Sequence, residues 1–201
     1  MSFRFEKKAL FHFSDYNNLK NLIFNLKGSI LYPKRKIESL YFDNYNYQAF
    51  TDSEEGVLPR KKIRIRNYPN NKKKKFFLEK KISSVEGRFK LSSLLTSLNY
   101  NSFINFGIYD DQYGLCLPNL RITYEREYFT MLNHRITIDR NMNYKKYNSY
   151  YNFFDNENII LEVKSNIFDN RNLFDHLPQF NETRFSKYCS SIKKIIKKNI
   201  T

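Results

Sequence analysis

Residues 61–69, KKIRIRNYP, set Lys62, Arg64 and Arg66 at alternate positions with Ile63 and Ile65 between them. On a β-strand alternate side chains share a face and stand about 6.5 to 7 Å apart, so three cations line one side and the isoleucines the other. The isoleucine side belongs to a core. The cationic side meets either water or an anion. Three further segments set an acid and a base two residues apart: FEKK (5–8), LEKK (78–81) and LEVK (161–164) pair Glu6 with Lys8, Glu79 with Lys81 and Glu162 with Lys164. One such pair alone is a solvated strand face and contributes little. The remaining strands repeat the pattern, since Tyr124 and Arg126 share a face, as do Arg135, Thr137 and Asp139.

If such strands close into a barrel, charged faces line an interior that repels itself unless a polyanion or a metal-bound phosphate fills it. Arginine grips phosphate oxygens through a planar fork and lysine adds point charge. Carboxylates among these cations have a use if they hold a divalent ion that bridges phosphate oxygens. No Ser-His-Asp or Cys-His arrangement is apparent, and the histidines His12, His134 and His176 have no metal-ligand spacing. Cys116 and Cys189 lack a zinc pattern and fit a reducing compartment.

The elements that must position these residues read as follows. With 201 residues, 41% of them hydrophobic, the chain is long enough for one domain, 1–201, with a real core. SDYNNLKNLIFNLKG (14–28) carries Leu19, Leu22, Ile23 and Leu26 at helical spacing, with Gly28 at the C-cap. Strands are expected at 37–44, 61–68, 74–81, 87–93, 120–129, 134–141 and 158–165, a helix over 91–106, and a basic amphipathic helix at RFSKYCSSIKKIIKKN. Lys72 to Lys75 form a hairpin tip in solvent, Asp43 is a turn or packing residue, and Tyr41 and Phe42 are core. The sum is an α+β domain with a mainly antiparallel sheet.

The net charge of +15 points first to a polyanion. The basic residues alternate with apolar ones and are interleaved with glutamates, whereas a duplex binder shows a basic helix or stripe without matched acids, so nucleic acid is not the expected partner. No run of about 18 or more apolar residues exists, and the charged start is unlike a signal peptide, so a cytoplasmic protein without a membrane-spanning segment is expected.

The order of FEKK, SLYFDN, KIRIRNY, LEKK, LRITYERE, RITID, ILEVKS and RFSKY, from about Arg4 to Tyr188, resembles the vacuolar transporter chaperone (VTC) domain, the polyphosphate-polymerase branch of the triphosphate tunnel metalloenzymes. The resemblance implies an eight-stranded antiparallel β-barrel forming a tunnel, with flanking helices, that binds ATP and polyphosphate or triphosphate with Mn²⁺ or Mg²⁺. It implies phosphate-gripping roles for Lys8, Arg64, Arg66, Lys81, Arg126 and Arg135, substrate contacts by Tyr124, Lys164 and Lys187, and a metal-binding Glu162. One position departs: Glu86 in VEGRFK stands where relatives carry a lysine, and Arg88 or Lys90 on that strand face would take over its contact. The implied reaction transfers the γ-phosphoryl group of ATP to a growing polyphosphate, in a stand-alone domain of the bacterial kind. Hydrolysis of triphosphate or polyphosphate in the same tunnel, and non-catalytic binding of polyphosphate or nucleic acid, are the alternatives.

Overall fold

The computed structural model describes residues 4–166 and 182–198. Ten strands and four helices occur among them: β1 (Arg4–His12), α1 (Tyr16–Asn25), β2 (Ser29–Asp43), α2 (Gln48–Glu55), β3 (Arg60–Asn67), β4 (Phe76–Ser84), β5 (Gly87–Leu95), α3 (Ser97–Phe106), β6 (Ile108–Asp110), β7 (Gly114–Met131), β8 (His134–Lys146), β9 (Asn152–Asp155), β10 (Asn158–Asn166) and α4 (Lys187–Lys198). The hydrogen-bonded path runs β1-β10-β8-β7-β2-β3-β4-β5, with β6 added to β7 and β9 to β8. Ladders β1–β10, β10–β8, β2–β3, β3–β4, β4–β5 and β6–β7 are antiparallel. The α+β class and the eight-strand path therefore match expectation, but the path is open: among the described residues no ladder joins β1 to β5, and the barrel is not closed by pairing. No described helix is long and apolar enough to cross a membrane.

The chain divides into two compact units, one comprising Met1–Lys36, Tyr124–Met142 and Phe154–Phe185, the other Ile37–Thr123, Asn143–Phe153 and Ser186–Thr201. The core of the first unit gathers Leu19 and Ile23 of α1 with Phe129, Met131, Ile136, Ile138, Ile159, Leu161 and Val163. Period two explains the set. In the β10–β8 ladder Leu161 faces Ile138 and Val163 faces Ile136, so the residues between them, Glu162, Thr137 and Arg135, lie on the other side. Each fully buried aliphatic chain contributes roughly 1.5–3 kcal/mol, enough to fix this register against a one-residue slip.

The second unit repeats the arrangement. Leu40, Phe42, Ile63, Ile65, Ile108, Tyr113 and Cys116 form its core, with Leu78 and Phe76 packed against it. The alternate residues of β2, β3 and β4 hence turn away from that core. Helix α2 lies between the predicted segments and starts where Asp43 accepts N–H bonds from Asn44, Ala49 and Phe50 at 2.9, 2.9 and 3.0 Å. The helix expected over 91–106 begins only at Ser97. Residues Leu91 to Leu95 instead pair with Lys80 to Phe76 in the β4–β5 ladder, and Thr96 caps α3 by accepting from Asn99 N–H at 3.2 Å. The spacing of Leu91, Leu94, Leu95 and Leu98 imitates a helix, but the ladder closed by the Val85–Glu86 turn wins. Gly107 ends α3 at φ +83°, where a Cβ would stand 2.7 Å from the Cys116 carbonyl oxygen.

The lysine run 72–75 lies exposed in the β3–β4 connection, and α4 presents Tyr188, Cys189, Ile192 and Ile195 as its buried stripe, both as the sequence suggests.

Candidate functional site

In the second unit, cross-strand register gathers cations on the face opposite the core. Lys62 pairs with Lys81 and Lys81 with Lys90, Arg64 pairs with Glu79, and Ser83 pairs with Arg88, so Lys62, Arg64, Arg66, Lys81, Arg88 and Lys90 share this face with Glu79. Glu79 is the one carboxylate that β3, β4 and β5 place there among the described residues. Its Oε2 accepts from Arg64 Nε at 2.8 Å and Nη2 at 2.6 Å, and its Oε1 lies 2.7 Å from Lys90 Nζ. Arg66 Nη1 stands 3.8 Å from the same Oε2. Burial by itself would push the Glu79 carboxyl up, but Arg64, Arg66 and Lys90 outweigh it and hold the group at about 2.

Both arginines are almost fully buried, and each has a further partner on β2. Arg64 Nη1 donates to Tyr41 Oη at 2.9 Å and Arg66 Nε to Ser39 Oγ at 3.2 Å. Lys62 Nζ reaches Ser186 Oγ at 3.1 Å, just before α4, and Lys187 opens that helix. Arg88 is exposed. Glu79 and Lys81 share the face that their spacing predicts, while the ion pairs of Glu79 run to Arg64 and Lys90, its neighbours directly and diagonally across the ladder. One expectation needs correction. Glu86 sits in the two-residue β4–β5 turn rather than on the strand, so it does not share a face with Arg88 and Lys90.

The first unit carries a charge quartet on β1 and β10. Lys8 Nζ lies 2.7 Å from Glu6 Oε1 and 3.8 Å from Glu162 Oε2, and Lys164 Nζ lies 2.9 Å from Glu162 Oε1 and 3.4 Å from Glu6 Oε2. Here the two-apart acid–base spacing does produce ion pairs. Beside the quartet, Thr137 stands opposite Glu162 and Arg135 opposite Lys164. The guanidinium of Arg135 lies over the Tyr128 ring at 5.3 Å. Arg126 makes a bidentate bond to Asp139, 2.5 Å from Nε and 2.7 Å from Nη2, and lies over the Tyr124 ring at 5.4 Å. Burial would lower the Arg126 guanidinium, yet Asp139 keeps it charged well above the ordinary range.

Among the described residues no group of three or more His, Cys, Asp and Glu side chains is placed to hold a metal ion. Glu6 and Glu162 nevertheless offer two hard carboxylates reached by the same two lysines. That donor set suits Mg²⁺ or Mn²⁺, which take one or two carboxylates and complete their shell with water and substrate phosphates. His176 lies outside the described residues, and Cys116 and Cys189 are buried thiols.

Sequence reasoning missed Ser39, Tyr41, Asp139 and Tyr188 as contributors. Tyr41 was expected in the core; it is buried, but its hydroxyl meets Arg64. The available signal was the S-x-Y-x-D alternation of 39–43, which puts Ser39 and Tyr41 on one face and Phe42 on the other.

The VTC domain model matches residues 3–114 and 105–196. No curated protein matches the sequence. Among solved structures, the chain is similar to the PH1819 protein from Pyrococcus horikoshii OT3, at 14% identity and TM-score 0.60 over 97% of this chain and 99% of that one. It is similar to a provisionally named adenylate cyclase from Bacillus halodurans, at 12% identity and TM-score 0.56 over 98% and 89% of the two chains. A protein of the same provisional name from Vibrio parahaemolyticus gives 12% identity and TM-score 0.53 over 98% of each. At these identities the likeness concerns the fold. With its alternating cationic strands and the match along nearly its whole length, the chain belongs to the VTC domain family.

Proposed function

We propose that this domain is a metal-dependent polyphosphate polymerase that transfers the γ-phosphoryl group of ATP to the end of a polyphosphate chain. The observation that carries the reading is the β3–β5 face, where two nearly buried arginines and a lysine converge on Glu79 while further cations stand beside them in register. Among the described residues of β3, β4 and β5, the cations on this face outnumber its one carboxylate, a net positive charge that suits a polyanion.

Phosphoryl transfer asks a protein for positioning and charge stabilisation rather than for a covalent nucleophile. Arg64 and Arg66 grip phosphate oxygens through forks that Glu79 holds in place. Lys8, Lys81, Arg126 and Arg135 supply the remaining positive charge. Tyr124, Arg88, Lys90, Lys164 and Lys187 contact the substrate. Glu162, with Glu6 beside it, would hold Mn²⁺ or Mg²⁺, and a bound divalent ion supplies charge neutralisation across neighbouring phosphate oxygens. A terminal oxygen of the chain attacks the γ-phosphorus, the bond to the β,γ-bridging oxygen breaks, and ADP leaves with that oxygen.

The test is incubation with ATP and Mn²⁺, with and without short polyphosphate, resolving chain length on a gel while ADP and orthophosphate are quantified. Lengthening chains with matching ADP support the polymerase. Orthophosphate without lengthening assigns the same residues to a hydrolase, and no turnover together with tight tripolyphosphate binding assigns them to a binder.

A further inference from the structure

Three alternate residues of β2 stand behind the arginine forks. The β2–β3 ladder sets Ser39 opposite Arg66 and Tyr41 opposite Arg64. Ser39 is completely buried and Tyr41 nearly so. Each accepts a hydrogen bond from the arginine facing it, at 3.2 and 2.9 Å. The Tyr41 ring stacks on Tyr188 of α4, with centroids 5.1 Å apart and planes 16° from parallel. Tyr188 Oη in turn donates to Asp43 Oδ2 at 2.6 Å, the carboxylate that also receives the first N–H groups of α2. A continuous line of contacts thus runs from the start of α2 through Asp43, Tyr188 and Tyr41 to the Arg64 guanidinium.

An arginine that grips phosphate gives up side-chain rotamer freedom on binding unless its fork is already held. Arg64 spends Nε and Nη2 on Glu79 and Nη1 on Tyr41, so its plane is fixed from β4 and from β2 at once. Arg66 is fixed in the same way by Ser39 and Glu79. We propose that Ser39 and Tyr41 are positioning residues for the phosphate-gripping arginines, and that Tyr188 makes the docked helix α4 part of that support. The inference rests on the assignment of Arg64 and Arg66 to phosphate.

A pH signature separates this role from a purely structural one. Burial would raise the Tyr41 phenol, but Arg64, Arg66 and Lys187 together pull it below the ordinary value of 10. The groups around it are Arg64 and Arg66 from β3, Lys187 and Tyr188 from α4, Asp43 on β2 itself, and Glu79 from β4 on the far side of Arg64. An ionised Tyr41 sets a negative charge against Arg64 and competes with phosphate for it, so affinity falls as the phenol titrates.

The experiment is calorimetric titration with inorganic tripolyphosphate from pH 7 to pH 10 for the wild type, Tyr41→Phe, Ser39→Ala, Tyr188→Phe, Tyr188→Leu and Arg64→Ala, with a melting temperature for each. Loss of a hydrogen bond to a charged partner predicts about tenfold weaker binding for Tyr41→Phe at pH 7 and a smaller loss for Ser39→Ala. Tyr188→Leu is expected to weaken binding as much as Tyr41→Phe, and Tyr188→Phe, which keeps the stack, by less. Relative to the wild type, Tyr41→Phe should lack part of the fall in affinity toward pH 10. If Arg64→Ala loses binding while Tyr41→Phe and Tyr188→Phe match the wild type at every pH, the positioning role is wrong and the phosphate assignment survives. If Arg64→Ala binds as tightly as the wild type, both are wrong. Should Tyr188→Leu not fold, the two phenylalanine variants decide the matter.

Discussion

Glu79→Gln keeps the shape of the side chain and removes the carboxylate on which Arg64, Arg66 and Lys90 converge. Against the rise that burial would cause, these cations hold the Glu79 carboxyl at about 2, below its ordinary 4.5. At about 1.4 kcal/mol for each tenfold, that depression corresponds to about 3 kcal/mol of folding stability. The side chain is only 3% exposed, so solvent screening leaves the figure at that order. A carboxyl depressed in the folded state contributes stability that is present in full above the unfolded value and lost as pH falls through the folded one. Between pH 5 and pH 2 the wild type should therefore lose about 3 kcal/mol more than Glu79→Gln. Asp110, held at about 2 by Lys80 and Lys61 against its own burial, steepens both curves alike, so the difference between the two proteins is the quantity to read. Urea unfolding followed by circular dichroism at half-unit pH intervals measures it. At pH 7 the variant should be less stable by about 3 kcal/mol, because three cations lose their counter-charge. Parallel stability-versus-pH curves for the two proteins would refute the reasoning.

Glu162→Gln is expected to abolish metal-dependent turnover while tripolyphosphate binding without metal persists; full retained activity rejects the metal assignment. Arg64→Ala should weaken tripolyphosphate binding by at least tenfold at low salt, the scale of a lost charge-assisted bond, and calorimetry reads it directly. Asp110→Asn leaves Lys61 and Lys80 without the carboxylate 3.0 and 2.8 Å away on the opposite side of the sheet, so it should cost about 2–3 kcal/mol in urea unfolding with unchanged tripolyphosphate affinity.

The alternation of residues 61–67 was enough to place Ile63 and Ile65 in a core and Arg64 and Arg66 on the other face, because period two is a property of any strand. Glu6 with Lys8 and Glu162 with Lys164 were legible for the same reason, since both members of each pair lie on one strand. The partner of Glu79 was not legible, because register across β3, β4 and β5 decides it, and register is a property of the ladder rather than of the segment. Tyr41 and Phe42 read alike as aromatic core until the ladder sends them to opposite faces. Helix α2 escaped notice because Ala49 and Phe50 are the only apolar residues of QAFTDSEE and its capping carboxylate, Asp43, lies several residues upstream in a strand. The helix assigned to 91–95 failed because leucines at helical spacing also satisfy a strand when a neighbouring hairpin arm offers its hydrogen bonds. Closure of the barrel was an implication of the family resemblance, and the pairing leaves β1 and β5 as the two ends of the path.

The most direct test of the central claim follows the γ-phosphoryl group itself: ATP labelled with ³²P at the γ position, Mn²⁺ and unlabelled short polyphosphate, with the wild type and Glu162→Gln compared. The account predicts label in polyphosphate chains in amounts equal to ADP for the wild type and none for the variant. Label recovered only as orthophosphate, or wild-type transfer by Glu162→Gln, would contradict it.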